Sequence, residues 1–289
     1  MKNLALYCLT LCATLLTLPV AQAQPALTEA MKAPPITLES GDLALHILPA
    51  RAWTYDEIRY KGNPLTNPGS HSGLVFNLGA GKFVGSGHTE GGREQVQTVK
   101  LTVDGKAVDH SNGGTVKGDV VELVKESNLA GTDLKSVLRL KNGVLECEQD
   151  LKVNDEIMLD QIYAFMFQWT TQTTQWMAKT TKDTLREGDF TSADKKWELL
   201  DNVQWTSIYN PVHKVAALTI FPEGSQQGEN IRHGYWNVHA SYHKQYYQPV
   251  SKRALSKDST HRWQAKLIIV PAEEGQWKEA VQNAVKAQQ

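Results

Sequence analysis

The chain has 289 residues, 41% hydrophobic and 21% charged, with Lys+Arg 30 against Asp+Glu 31. A balance this close to neutral excludes the strongly basic surface used for nucleic acid or anionic membranes, so neither partner is expected. The length supports a large buried core, and no Pro/Ser/Gly linker divides it, so one large domain is expected.

In chain order, residues 1–23 read as an export signal. Lys2 supplies the positive n-region, "LALYCLTLCATLLTL" the apolar h-region, and "AQA" at Ala21–Ala23 the cleavage site. The run is short for a membrane span. No span is expected after cleavage, and the mature protein is expected to be secreted or periplasmic. Cleavage removes Cys8 and Cys12 and leaves Cys147 with no internal disulfide partner. Residues 24–35 read as a flexible leader and residues 36–289 as a single β-sandwich domain.

From "DLALHILP" onward the pattern is strand, turn, strand. "GLVFNLG", "VQTVKLTVDGK", "DVVELVKES", "LKSVLRLKNG", "VLECEQDLKVND", "EIMLDQIYAFMFQWT", "TQWMAKTT", "HKVAALTIFPEG" and "RWQAKLIIVP" are rich in β-branched and aromatic residues. "DG", "NG", "ND" and "EG" punctuate them as turns. "VLECEQDLKV" alternates Leu145, Cys147, Gln149 and Leu151 with Glu146, Glu148, Asp150 and Lys152, so the second set should face solvent or a cleft. Near the end, Trp277, Ala280, Val281, Ala284 and Val285 recur as a helical stripe. These elements predict an all-β fold, a large antiparallel β-sandwich with a short C-terminal helix.

Three stretches carry groups for chemistry. "FVGSGHTEGGREQV" breaks the strand pattern with four glycines and places His88, Glu90, Arg93 and Glu94 on a constrained turn. His exchanges protons near neutral pH and Arg grips carboxylates with two hydrogen bonds. The alternative is an ornate hairpin in which these charges pair among themselves.

"RHGYWNVHASYHKQYYQP", Arg232–Pro249, reads as a strand with two unusual faces. Tyr235, Asn237, His239, Ser241, His243 and Tyr247 share one, and Trp236, Val238, Ala240, Tyr242, Lys244 and Tyr246 the other. The first is expected to line a groove, with an interior polar network as its alternative. His239 and His243 lie about 13 Å apart on a regular strand, too far to share one zinc ion with ligands at about 2 Å. No cofactor is indicated, and a divalent metal is left open. The third stretch, "TTKDTLREGDFTSADKKWELLDNVQWTSIYNP", is polar and turn-rich in its centre and is expected to wall or cover a site. It ends in aromatic residues including Trp205, and aromatic faces suit the C–H faces of pyranose rings.

Taken together, "GSGHTEGGREQV", "YAFMFQWTTQTTQWMAKT", "DNVQWTSIYNP" and "YHKQYYQP…RWQAKLIIVP" resemble secreted bacterial proteins with the galactose-mutarotase-like β-supersandwich. That resemblance implies a fold shared by aldose 1-epimerases and by domains of many polysaccharide lyases. The epimerase pattern of two His and a late Glu has no clean match here. A second resemblance is to jelly-roll alginate lyases, through Tyr242, Lys244, Tyr246 and Gln248, and makes a β-jelly roll the second choice of fold.

Both resemblances imply a polysaccharide or oligosaccharide partner. The leading expectation is a polysaccharide lyase that cleaves a uronic acid-containing polymer by β-elimination. A non-catalytic carbohydrate-binding protein or a sugar epimerase are the alternatives. The catalytic candidates are His88, Arg93, His239, Tyr242, His243 and Lys244. Substrate-binding candidates are Glu90, Glu94, Arg232, Tyr235, Trp236, Tyr247 and Trp205. Which face of the 232–249 strand lines the site stays open, because Tyr242 and His243 point opposite ways.

Overall fold

The computed structural model describes residues 26–86, 92–190, 193–225, 230–238 and 240–288. Residues 1–25, which include the stretch expected to be an export signal, lie outside this set. Among the described residues the strands form three sheets.

A five-stranded sheet runs, in spatial order, β4 (Asn63–Pro64), β3 (Thr54–Tyr60), β2 (Leu43–Leu48), β1 (Ile36–Ser40), β9 (Gly114–Lys117). A ten-stranded sheet runs β15 (Leu185–Asp189), β14 (Gln175–Thr180), β17 (Val203–Asn210), β18 (Val215–Ile220), β21 (Thr260–Pro271), β12 (Val144–Val153), β11 (Thr132–Lys141), β10 (Val120–Leu129), β7 (Gln95–Val103), β8 (Lys106–Ala107). A six-stranded sheet runs β16 (Lys196–Asp201), β19 (Arg232–Val238), β20 (Tyr242–Leu255), β13 (Ile157–Trp169), β5 (His71–Asn77), β6 (Phe83–Gly85). Among the named strands, pairing is antiparallel except for β1 with β9.

Local chemistry sets the turns. Asn142 and Gly143 both have positive φ, 49° and 76°, and join β11 to β12 without splaying the strands. On β12 the expected alternation holds. Leu145, Cys147, Gln149 and Leu151 are buried, while Glu146, Glu148 and Asp150 pair with Arg139, Lys266 and Arg262 on the open face.

The main core lies between the sheets and joins Leu38, Leu45, Leu123, Leu138, Phe76, Phe167 and Trp169. A second cluster forms on the outer face of the ten-stranded sheet, where α1 (Trp277–Lys286) lays Trp277 and Val281 on Met177, Tyr209 and Leu218. The Trp277 ring stacks on Tyr209 at 5.2 Å, and its Nε1 donates to Gln175 Oε1 at 2.8 Å. Three sheets of five, ten and six strands exceed the eight-stranded, two-sheet jelly roll that was the second choice of fold.

Two segments depart from expectation. The stretch read as a flexible leader is docked: Met31 is buried, Thr28 Oγ1 donates to Val96 O at 2.6 Å, and Trp53 Nε1 donates to Ala30 O at 2.7 Å. The polar stretch after β14 is not one long loop. It forms β15 at an edge of the ten-stranded sheet, then β16 at an edge of the six-stranded sheet. Edge strands carry charge to resist further pairing, which hides their strand character in the sequence.

Candidate functional site

The β19–β20 hairpin sets the geometry. Its register places Arg232 opposite Gln248, Gly234 opposite Tyr246, Trp236 opposite Lys244 and Val238 opposite Tyr242 on one face. The other face pairs His233 with Tyr247, Tyr235 with Gln245 and Asn237 with His243.

That second face is interior. His243 stacks on Phe190 at 4.0 Å, and its Nδ1 lies 3.1 Å from Asn237 Oδ1. Gln245 accepts from Trp169 Nε1 at 2.9 Å and donates to Thr206 Oγ1 at 3.1 Å. Tyr247 donates to Ser225 O at 2.7 Å and lies against Phe165, Phe221 and His233. The expectation that Tyr235, His243 and Tyr247 line a groove is therefore corrected. All three are buried where the six-stranded sheet packs on the ten-stranded one. For Asn237, His243, Gln245 and Tyr247, hydrogen bonds there offset the desolvation of polar atoms. His239 lies outside the described residues.

The first face is the open one and carries a strip of aromatic rings. Trp197 of β16 lies 5.0 Å from Trp236 and 5.5 Å from Tyr246, ring centroid to centroid, and Tyr246 lies 5.3 Å from Tyr163 on β13. Gly234 makes this contact. A Cβ there would stand 2.7 Å from the Trp197 ring and 2.6 Å from Leu199 O. Trp197 remains 37% exposed, so the strip keeps a solvent-facing surface.

Lys244 sits within the strip at 6% exposure. Its Nζ is 5.3 Å from the Tyr246 ring centroid, and it has no hydrogen bond or ion pair among the described residues. Burial pushes the amine down to about 8. The Tyr246 phenol is pushed above its ordinary range, first by burial and then by the Tyr163 and Tyr242 phenols. Tyr163 is raised by burial and then by Asp160. Lys195 Nζ adds a second cation 6.0 Å over the Trp236 ring.

The glycine-rich connection leaves the same sheet. β6 is separated from β20 by β13 and β5, three inter-strand steps or about 14 Å. His88 and Glu90 lie outside the described residues. Arg93 is half-buried at the base, next to Gly92, which bridges to Val84.

Glu94, expected to bind substrate, is instead locked in a buried network. Its carboxylate accepts from Lys125 Nζ at 2.6 Å, Ser127 Oγ at 2.7 Å and Ser86 Oγ at 2.5 Å, and Lys125 also donates to Ala52 O at 2.6 Å. Trp205 is likewise displaced from the expected site. It points into the cluster beneath α1, on the outer face of the ten-stranded sheet, because β17 belongs to that sheet and not to the aromatic strip.

Of the expected residues, the structure gathers Trp236, Tyr242 and Lys244 on one face, with Arg232 exposed at the start of β19. It adds Trp197 and Tyr163, and brings in Tyr246, which the sequence pattern placed on the same strand face as Trp236, Tyr242 and Lys244. Among the described residues, no group of three or more His, Cys, Asp or Glu is placed to hold a metal.

The strip can seat a sugar ring by its C–H face, and Lys244 can meet an anionic substituent of that ring. The fold around it is that of galactose-mutarotase-like proteins. The Slr1438 protein from Synechocystis sp. PCC 6803 is similar with a TM-score of 0.53 at 12% identity, over 86% of this chain and 100% of that one. A galactose mutarotase-like protein from Lactobacillus casei ATCC 334 gives 0.50 at 10% identity, over 82% and 100%. The galactosidase domain of an alpha-galactosidase-sucrose kinase, AgaSK, gives 0.53 at 8% identity, over 82% and 40%. Likeness at these identities establishes the fold alone. No family model matches the sequence, and no curated protein matches it.

Proposed function

We propose that this chain is an exported carbohydrate-active protein that takes an acidic polysaccharide across the open face of β16, β19, β20 and β13 and cleaves it by β-elimination. The observation that carries this reading is the buried Lys244 amine set among Trp197, Trp236, Tyr246 and Tyr163 without a carboxylate partner among the described residues. A buried ammonium without a counter-ion is unfavourable, and a ligand carboxylate relieves it.

In β-elimination the proton α to a uronate carboxylate is removed and the 4-linked sugar departs. Charge accumulating on the carboxylate must be offset, which Lys244 does as the cation beside the rings. Tyr246 stays protonated and serves as a donor to the departing oxygen. Tyr242, on the same face, is the nearest choice for the group that accepts the α proton.

The raised phenols of Tyr246 and Tyr163 also favour a second reading, a protein that binds acidic glycans without cleaving them. A panel of uronic acid polymers separates the two. Cleavage yields an unsaturated uronide with new ultraviolet absorbance and shorter chains by size exclusion. Saturable binding with unchanged chain length selects the second reading. Absence of both across the panel rejects the acidic-glycan site.

A further inference from the structure

The carbohydrate reading uses Lys244 as a cation, but its surroundings also fit a nucleophile. The side chain is 6% exposed, and its Nζ faces the Tyr246 ring rather than a carboxylate. Other lysines have carboxylate partners in solvent, such as Lys117 with Glu39 and Lys214 with Glu273. Lys244 has no such anchor among the described residues. The Trp197–Trp236–Tyr246–Tyr163 strip beside it would hold a sugar ring against the amine.

We propose that Lys244 forms an imine with the open-chain aldehyde of a reducing sugar seated on this aromatic strip. The inference rests on the strip being a sugar site. In the first step the neutral Nζ attacks the aldehyde carbon. A C–N bond forms as the C=O π bond breaks, and the oxygen takes up the proton that nitrogen gives up. The resulting carbinolamine then loses its hydroxyl together with the remaining nitrogen proton as water, and the C=N bond of the imine forms. No oxidant or reductant is needed. Burial favours the step twice, because it disfavours the ammonium form (the amine titrates near 8) and because the carbinolamine is neutral.

The test incubates the full chain with D-galacturonate and sodium cyanoborohydride. Hydride from the reagent reduces any imine to a stable secondary amine, which peptide mass spectrometry locates. The expected result is labelling of Lys244 at least tenfold faster than of the exposed Lys117, Lys141 and Lys252. Trp197→Ala should remove that preference without changing the exposed lysines, and Lys244→Arg should remove the adduct. Labelling of Lys244 no faster than the exposed lysines overturns the inference. Tryptophan fluorescence titration with galacturonate oligomers, run in parallel, separates two failures. Saturable binding without selective labelling leaves the sugar site standing and removes the imine. Neither binding nor labelling removes both.

Discussion

Glu94 and Lys125 form an ion pair of 2.6 Å whose side chains are 0% and 2% exposed, tying the base of the glycine-rich connection to β10 of the ten-stranded sheet. Ser86 and Glu94, which bracket the segment carrying His88 and Glu90, are held to each other through the same carboxylate. Breaking one partner leaves the other charge buried and unpaired. Glu94→Gln and Lys125→Met should each destabilise the fold by about 3–5 kcal/mol. The double variant should recover much of that loss, because no charge remains. Urea unfolding midpoints at constant slope check this. Single variants that unfold with the native midpoint would show the pair to be dispensable.

Gly234 sets the position of Trp197, since a Cβ there would meet the Trp197 ring at 2.7 Å and the Leu199 carbonyl at 2.6 Å. Gly234→Ala should push β16 outward, with a stability loss of about 1–3 kcal/mol from overpacking. If the aromatic strip is the glycan site, glycan affinity should fall to the level of Trp197→Ala. The comparison needs a thermal melt and a binding titration on both variants. Native affinity in Gly234→Ala would detach Trp197 from the site.

Much of the architecture was legible. The β12 alternation, the Asn142-Gly143 turn and the Trp277–Val285 stripe all lie in local periodicity, and each sits where its pattern places it. The side of β20 that lies inside was not legible. Both of its faces carry polar aromatic residues, and burial was decided by the sheet that packs against them, which no window of β20 contains. The strand that carries Trp197 was hidden, because Lys195, Lys196 and Glu198 surround that residue and make the stretch read as loop. Glu94 looked reactive because its partner is 31 residues away. One signal was present: Lys125 falls in phase with Val121 and Leu123, on the inward face of β10, where a lysine requires a carboxylate.

His233 provides a test at acid pH. It is buried against Phe221 and Tyr247, and its Nδ1 accepts from the Val203 N–H at 3.3 Å. Burial holds the imidazole down to about 3, against 6.5 for the free side chain. Between those values the unfolded chain binds a proton that the folded chain does not. The contribution is fully present above 6.5 and is lost as pH falls toward 3, by at most about 1.4 kcal/mol per pH unit. His233→Phe should therefore flatten the decline in stability between pH 6 and pH 4. Denaturant midpoints across that range, wild type against variant, check it. Parallel curves would mean that His233 is protonated in the fold.

Lys244 titrates in the opposite range and links stability to binding. Its amine is held near 8 by burial, against 10.5 in the unfolded chain. Between those values the unfolded chain again holds the extra proton, so wild-type stability should rise as pH increases from about 8 to 10.5. Below 8 the buried ammonium is an unrelieved penalty, and Lys244→Met should stabilise the fold at pH 7 by up to about 3 kcal/mol. The same substitution removes the cation that the acidic-glycan reading requires, so affinity for uronic acid oligomers should drop at least tenfold. A residue that is unfavourable for the fold and needed for the ligand is the pattern of a functional site. Thermal melts at pH 7 and pH 10, paired with binding titrations at pH 7, measure both halves. A Lys244→Met protein that is less stable than wild type at pH 7, or that binds acidic oligomers as before, would place Lys244 among the structural residues.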